Sequence, residues 1–304
     1  MSSMAFLRWG SPAALALIAF SLGACNESQI TLRRVDSVAV TVGDFDNVQA
    51  PFNRQVLPTT SYDGIISAAT WDETYESAPG GLNVEGLFLG DKNREIISHG
   101  TVFVASGTRG FGLRQYNSLQ PDDQIVSDAN AISNTQFYVR GGGVLLLTDW
   151  AYDMIPAAFP DKIDFVGDET FDVAQRGKIG RISARVTDEE LEAELQTDVL
   201  SLTYDFSNWA VMEDVLDDNV RVYLRGDVQY LAPDGEGYIT VEDAPLLVSF
   251  QPDNTGQVVY SSFHLDAQNP AVIDSILRVV VGEFDLKETN TLPTDGQNNS
   301  GDDQ

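Results

Sequence analysis

Five consecutive residues, Val144-Leu145-Leu146-Leu147-Thr148, constrain the fold more than any others in the chain. They are apolar without alternation. A strand with one wet face alternates apolar and polar side chains. A continuous apolar run is buried on both faces, as in a parallel sheet held between two helical layers. Parallel neighbours cannot be joined by a tight turn, so strands must alternate with crossover segments. The chain meets that demand. Val38–Val42, Gly64–Ala69 and Thr101–Ala105 read as further strands, with Leu87-Phe88-Leu89 as a short one. Ala129 to Arg140 has helical spacing, with Asp128 as its cap and Gly141-Gly142-Gly143 as its stop. Met154 to Phe159 reads as a short helix ended by Pro160. Asn269-Pro270 opens a last helix to about Val281, with proline in the tolerated first turn.

From Gly177 the pattern changes. Ile179–Val186, Val199–Thr203, Val220–Leu224 and Val228–Leu231 are strands, interrupted by one helix from Asp188 to Leu195. Pro245–Phe250 and Gln257–Phe263 then form a hairpin across Asp253–Gly256. Residues 173–242 are expected to be an insertion or a mixed-sheet extension of one α/β domain over 35–285. That domain has a mostly parallel sheet with helices on both faces. Residues 286–304 lack apolar side chains almost entirely and read as a disordered polar tail.

The amino end is a different matter. Arg8 precedes the apolar run Ala13–Ala24, which ends in small residues before Cys25, the only cysteine. This is the layout of a secretory signal over 1–24, followed by a tether over 25–34. Leu22-Gly23-Ala24-Cys25 resembles the bacterial lipobox. The resemblance implies cleavage before Cys25 and a diacylglyceryl group on its sulfur. Asn26, where an aspartate would favour inner-membrane retention, implies the outer membrane. The expected partner is therefore a lipid bilayer, with a small molecule, a glycan or an envelope protein as a second partner.

Charge narrows the function further. The formal net charge is −28 over 304 residues, a surface that repels phosphate backbones and excludes nucleic acid as a partner. With two histidines, His99 and His264, and one cysteine, the usual zinc sets are excluded. A hard cation held by carboxylates remains open, with Asp44, Asp46 and Asp149 as candidate ligands at the carboxyl ends of predicted strands. The glycine-rich stretch Ser106–Gly112 fits neither the dinucleotide fingerprint nor the phosphate loop, and no cofactor is expected.

The segment from 36 to 283 resembles the class I glutamine amidotransferase-like, flavodoxin-like superfamily. Two features carry the resemblance. One is Gly141–Gly143 with the strand Val144–Thr148 and a sharp turn at Asp149-Trp150, where the family keeps a nucleophilic cysteine. The other is Tyr260-Ser261-Ser262-Phe263-His264-Leu265-Asp266, in which His264 and Asp266 match the family's histidine and the acid two positions on. The folded segment has no cysteine, so the family's thiolate route is closed. No G-x-S-x-G elbow replaces it. Two readings remain. A non-catalytic module predicts that His264 and Asp149 are loosely placed or blocked by packing. A hydrolase or metal-assisted enzyme predicts an open cleft in which His264, Asp149 and Asp266 converge.

Overall fold

The computed structural model describes residues 38–41, 43, 45–48, 65–68, 88, 100–108, 111, 125–167, 174–253 and 255–281. Asp44, His99, Cys25, the tether and the polar tail lie outside the described residues. In chain order the strands are β1 (Val38–Thr41), β2 (Ile65–Ala68), β3 (Thr101–Val104) and β4 (Val144–Thr148). They continue as β5 (Ile163–Phe165), β6 (Gly180–Val186), β7 (Val199–Tyr204) and β8 (Met212–Val215). The last three are β9 (Arg221–Leu231), β10 (Tyr238–Phe250) and β11 (Gln257–Ser261). The helices are α1 (Ala129–Arg140), α2 (Met154–Ala158), α3 (Glu189–Leu195) and α4 (Pro270–Val280).

Nine strands form one sheet in the order β2-β1-β3-β4-β11-β10-β9-β6-β7. The first five are parallel to one another, and β10, β9, β6 and β7 follow antiparallel. The parallel half, taken in chain order, is the 2-1-3-4-5 arrangement of a flavodoxin-like fold. The segment that changes character at Gly177 extends the same sheet, while β5 and β8 pair separately. Among the described residues, no helix is long and apolar enough to cross a membrane.

All five residues of β4 are buried. Its side chains alternate between two cores: Val144 and Leu146 join one, Leu145 and Leu147 the other. Phe103 and Val259 belong to the first core, with Ile273, Ile276 and Leu277 of α4 and Leu191 of α3. Val102, Val104 and Val258 belong to the second, with Tyr138 and Val139 of α1 and Met154 and Ile155 of α2. Helical layers therefore cover both faces, which is why the run has no polar face.

The helix starts obey local chemistry. Asp128 accepts the amides of Asn130 and Ala131 at 2.7 and 3.3 Å. Asp188 does the same for Glu190 and Leu191, and Asn269 for Ala271. Gly142 has φ +104°, a conformation that costs glycine nothing and halts α1 before β4. Three sequence expectations are corrected. Val220–Leu224 and Val228–Leu231 belong to one long strand, β9. Phe88, expected in a short strand, is helical. β11 stops at Ser261, so residues 262–264 leave the sheet in a bend.

The outer edge of β7 is closed by side chains. The Gln268 amide accepts from Thr203 N at 2.9 Å and donates to Thr203 O at 2.8 Å. The Thr197 hydroxyl occupies both backbone groups of Val199. These contacts blunt the sheet end and fix the carboxyl end of β7, where Asp205 stands.

Candidate functional site

Four strands end around one imidazole. The bend after β11 delivers His264, the turn after β4 delivers Asp149, the loop after β3 delivers Ser106, and β7 delivers Asp205. The loop after β1 closes over them. Gly43 makes that closure feasible: a Cβ there would stand 2.2 Å from Ser106 O. Phe45 N then donates to Ser106 O at 3.3 Å.

His264 Nε2 lies 3.0 Å from Asp149 Oδ2 and 3.1 Å from Ser106 Oγ. Its Nδ1 lies 3.0 Å from Asp205 Oδ1. Ser106 Oγ donates to Asp149 Oδ2 at 3.3 Å, and Ala210 N donates to Asp149 Oδ1 at 2.8 Å. Tyr260 OH donates to Asp149 O at 3.0 Å. Asp149 is thus a carboxylate held by three donors, and its main chain is held by a fourth. It is fully buried, as is Ser106, and His264 is 4% exposed. Asp149 also sits at φ +42°, left-handed backbone that costs a residue with a Cβ about 1 kcal/mol. The strand-to-helix turn after β4 thus puts a carboxyl group, Asp149, at its left-handed position.

Burial raises the Asp149 carboxyl, while His264, the Ala210 amide and Ser106 pull it back. For His264, burial works against the charged ring, but the hydrogen bond and charge of Asp149, helped by Asp46 and Asp205, push it up to about 9. At neutral pH the imidazole therefore keeps its proton, with Asp149 on one nitrogen. Asp205, by its half-exposed position, completes the imidazolium on the other nitrogen.

Aromatic rings form the rim. Phe45 packs on Trp150 at 4.8 Å and on Phe206 at 4.5 Å between centroids. Phe206 stands 6.4 Å from the His264 ring. Trp150 is buried and donates its indole N–H to Asn208 O at 2.9 Å. Phe45 and Phe206 are half-buried, so the rim reaches solvent where the histidine does not.

The structure brings His264 and Asp149 together but not Asp266. The exposed Asp266 accepts Asn47 N at 3.1 Å, and Asp205 takes the partnership expected of it. The physical reason is that the chain bends after β11 and turns Asp266 towards the β1 loop. Asp46 accepts the amides of Leu265 and Asp266 at 3.1 and 3.2 Å. Its burial pushes its carboxyl up to about 7, although the charge of His264 and these amides oppose the shift. Asp46 and Asp149 each hold backbone amides, and Asp44, the third candidate cation ligand, lies outside the described residues. Among the described residues no group of three histidine, aspartate or glutamate side chains is arranged to hold a metal. The Asp149 carboxyl oxygens go to Ala210, His264 and Ser106.

Sequence reasoning missed Ser106, Asp205 and the Ala210 amide. Ser106 had a usable signal, since it is the first polar side chain beyond the carboxyl end of a predicted parallel strand. Asp205 had none, because its place depends on how the antiparallel strands return to the sheet.

No family model matches the chain, and no curated protein matches it. Solved structures similar to it include a ThuA-like protein from Bacteroides uniformis ATCC 8492, 11% identical, with TM-score 0.46 over 89% of this chain and 96% of that one. A ThuA-like protein from Parabacteroides merdae ATCC 43184 is 10% identical, with TM-score 0.44 over 86% and 94%. A GMP synthase subunit from Thermoplasma acidophilum is 10% identical, with TM-score 0.42 over 83% and 98%. Each likeness is one of chain path alone.

Proposed function

We propose that this chain is a lipid-anchored envelope protein whose α/β domain is a non-catalytic binding module. The observation that carries the reading is the sealed His264–Asp149 pair. Asp149 has every carboxylate contact taken and no exposure, and His264 is 4% exposed. A general base must be neutral to accept a proton. With its imidazole pushed up to about 9, about one His264 in a hundred is neutral at pH 7. The pair acts as a pin between strand ends, and the half-buried rim of Phe45 and Phe206 beside Asp205 is the surface offered to a small molecule, a glycan or an envelope protein. The lipobox at Leu22–Cys25 supports outer-membrane anchoring, where two acyl chains hold firmly.

A hydrolase is the second reading, favoured by one observation. Ser106 Oγ, His264 and Asp205 align as nucleophile, base and orienter at 3.1 and 3.0 Å. Asp149 interrupts that relay by taking the hydrogen bonds of both Ser106 and His264 Nε2.

The test is a turnover screen of the full chain against ester, amide, glycoside and phosphate-ester substrates, run from neutral pH to above the His264 titration. The expected result is no turnover that disappears in His264→Gln. Hydrolysis lost in both Ser106→Ala and His264→Gln, with folding retained, overturns the non-catalytic reading. Mass spectrometry of the membrane fraction tests the anchor: Cys25 should carry the diacylglyceryl mass, and an unmodified thiol overturns it.

A further inference from the structure

Over its first half, β10 is partnered on one side only. β11 pairs with residues 247–250, so among the described residues the stretch 238–242 has β9 on one side and no strand on the other. Its rungs follow from the turn. Ala232 N donates to Gly237 O at 3.1 Å, so Tyr230 with Ile239 and Val228 with Val241 are the next hydrogen-bonded pairs, and the residues between them face away. β9 obeys the same alternation. Gln229 O accepts from Lys178 N at 2.8 Å and Leu231 N donates to Arg176 O at 2.9 Å, both on the side remote from β10. Thr240 and Tyr238, which stand opposite Gln229 and Leu231, therefore aim N–H and C=O out of the free edge of β10.

The side chains there favour pairing. Tyr238, Ile239, Thr240 and Val241 are aromatic or β-branched, and none is charged. Tyr238 is 51% exposed and Ile239 40%. The end of the sheet at β7 is treated differently, since Gln268 and Thr197 occupy the backbone groups of Thr203 and Val199. Among the described residues no side chain does this at Tyr238 or Thr240. The run ends at a bulge after Val241, where Asp243 takes φ +53°.

We infer that two copies of the chain pair through this edge, antiparallel about a two-fold axis at Thr240. A two-fold contact must be self-complementary. Opposite residues of an antiparallel pair share a face, so the axis passes through a residue and not between two. At Thr240 it sets Thr240 against itself, Ile239 against Val241 of the second copy and Tyr238 against Glu242 of the second copy. Lys178, whose ammonium lies 4.6 Å from the centre of the Tyr238 ring, then stands beside that carboxylate. An axis at Ile239 would set Glu242 against Glu236, a like-charge pair, and one at Val241 would run into the bulge. The contact is small and each copy carries a formal charge of −28, so association is weak and strengthens with salt.

The test is a concentration series of the full chain, in excess detergent so that the apolar amino end cannot join copies, read by sedimentation and by residue-resolved hydrogen exchange. A dimer is expected, growing with concentration and with salt. The amides of Tyr238 and Thr240 should slow in step with it, while those of Ile239 and Val241, already bonded to β9, stay slow throughout. Thr240→Pro removes an outward donor without touching a rung to β9, and should abolish the dimer. Ile239→Lys loses two apolar contacts per dimer and should weaken association about ten-fold; it decides the matter where the proline variant does not fold. A chain that stays monomeric up to about 1 mM overturns the inference. A dimer that leaves the Tyr238 and Thr240 amides fast, or that survives these substitutions unchanged, is built elsewhere and also overturns it. Protection of those two amides at every concentration means that another part of the chain covers the edge, and overturns it equally.

Discussion

His264 has two acidic partners at the same distance and in opposite surroundings. Asp149 lies 3.0 Å from Nε2 with its side chain wholly buried; Asp205 lies 3.0 Å from Nδ1 with its side chain 48% exposed. Distance alone would rank them equal. Burial does not, because a charge removed from water depends on its partner far more than one that keeps its hydration. On the buried side, three donors have replaced water around the carboxylate. On the open side, water still competes with the imidazole. The site is therefore one structural pin and one loose contact, although it has the outline of a relay.

Removing the histidine should break the comparison most visibly. His264→Leu leaves the Asp149 carboxyl buried and without its partner, and should cost about 3–5 kcal/mol in urea unfolding. The double variant Asp149→Leu/His264→Leu removes both charges and should recover most of that loss. A double variant as unstable as the single one would show that shape, and not charge, holds the strand ends together.

Raising the pH should loosen the same pin more gently. His264 titrates at about 9 in the fold against an ordinary 6.5. A raised folded value means that its contribution is complete below 6.5 and disappears as the pH passes 9, about 3 kcal/mol in all. Asp46 adds a slope of the same sign at lower pH. Its carboxyl titrates at about 7 against an ordinary 3.8, so its contribution is complete below 3.8 and disappears as the pH rises through 7. The unfolding midpoint should fall from mild acid to alkali, and the alkaline part of that fall should vanish in His264→Gln. A midpoint that rises between pH 7 and 9 would contradict the assignment.

The smallest effect belongs to the open side. Asp205→Asn should cost no more than about 1 kcal/mol, as exposed pairs do, and should lower the imidazole titration seen by NMR while leaving it above the ordinary value. A loss as large as that of His264→Leu would mean that the two partners are equivalent after all.

The contrast between the two acids also divides what could be read in advance. β4 was legible because its side chains go into two cores, and a run with no wet face reports that directly. His264 and Asp149 were legible because each lies just beyond the carboxyl end of such a strand, and in a parallel sheet all those ends share one edge. Asp266 misled because two residues of separation mean a shared face only while the chain stays extended, and β11 stops at Ser261. Ser106 was visible as a loop residue but not as a partner. Its hydroxyl reaches Asp149 because β3 and β4 end side by side, with Ser106 N held by the Thr148 hydroxyl.

By itself the sequence determined the double-sided parallel half, the helix caps and the absence of a cysteine from the folded segment, because each depends on neighbours within a few residues. Only the tertiary structure decided which acid orients His264 and that Asp149 is sealed by the Ala210 amide. Those outcomes depend on where antiparallel strands far apart in the chain come back to the sheet. Register and bulges over many residues fix that return, and no short pattern of side chains records it.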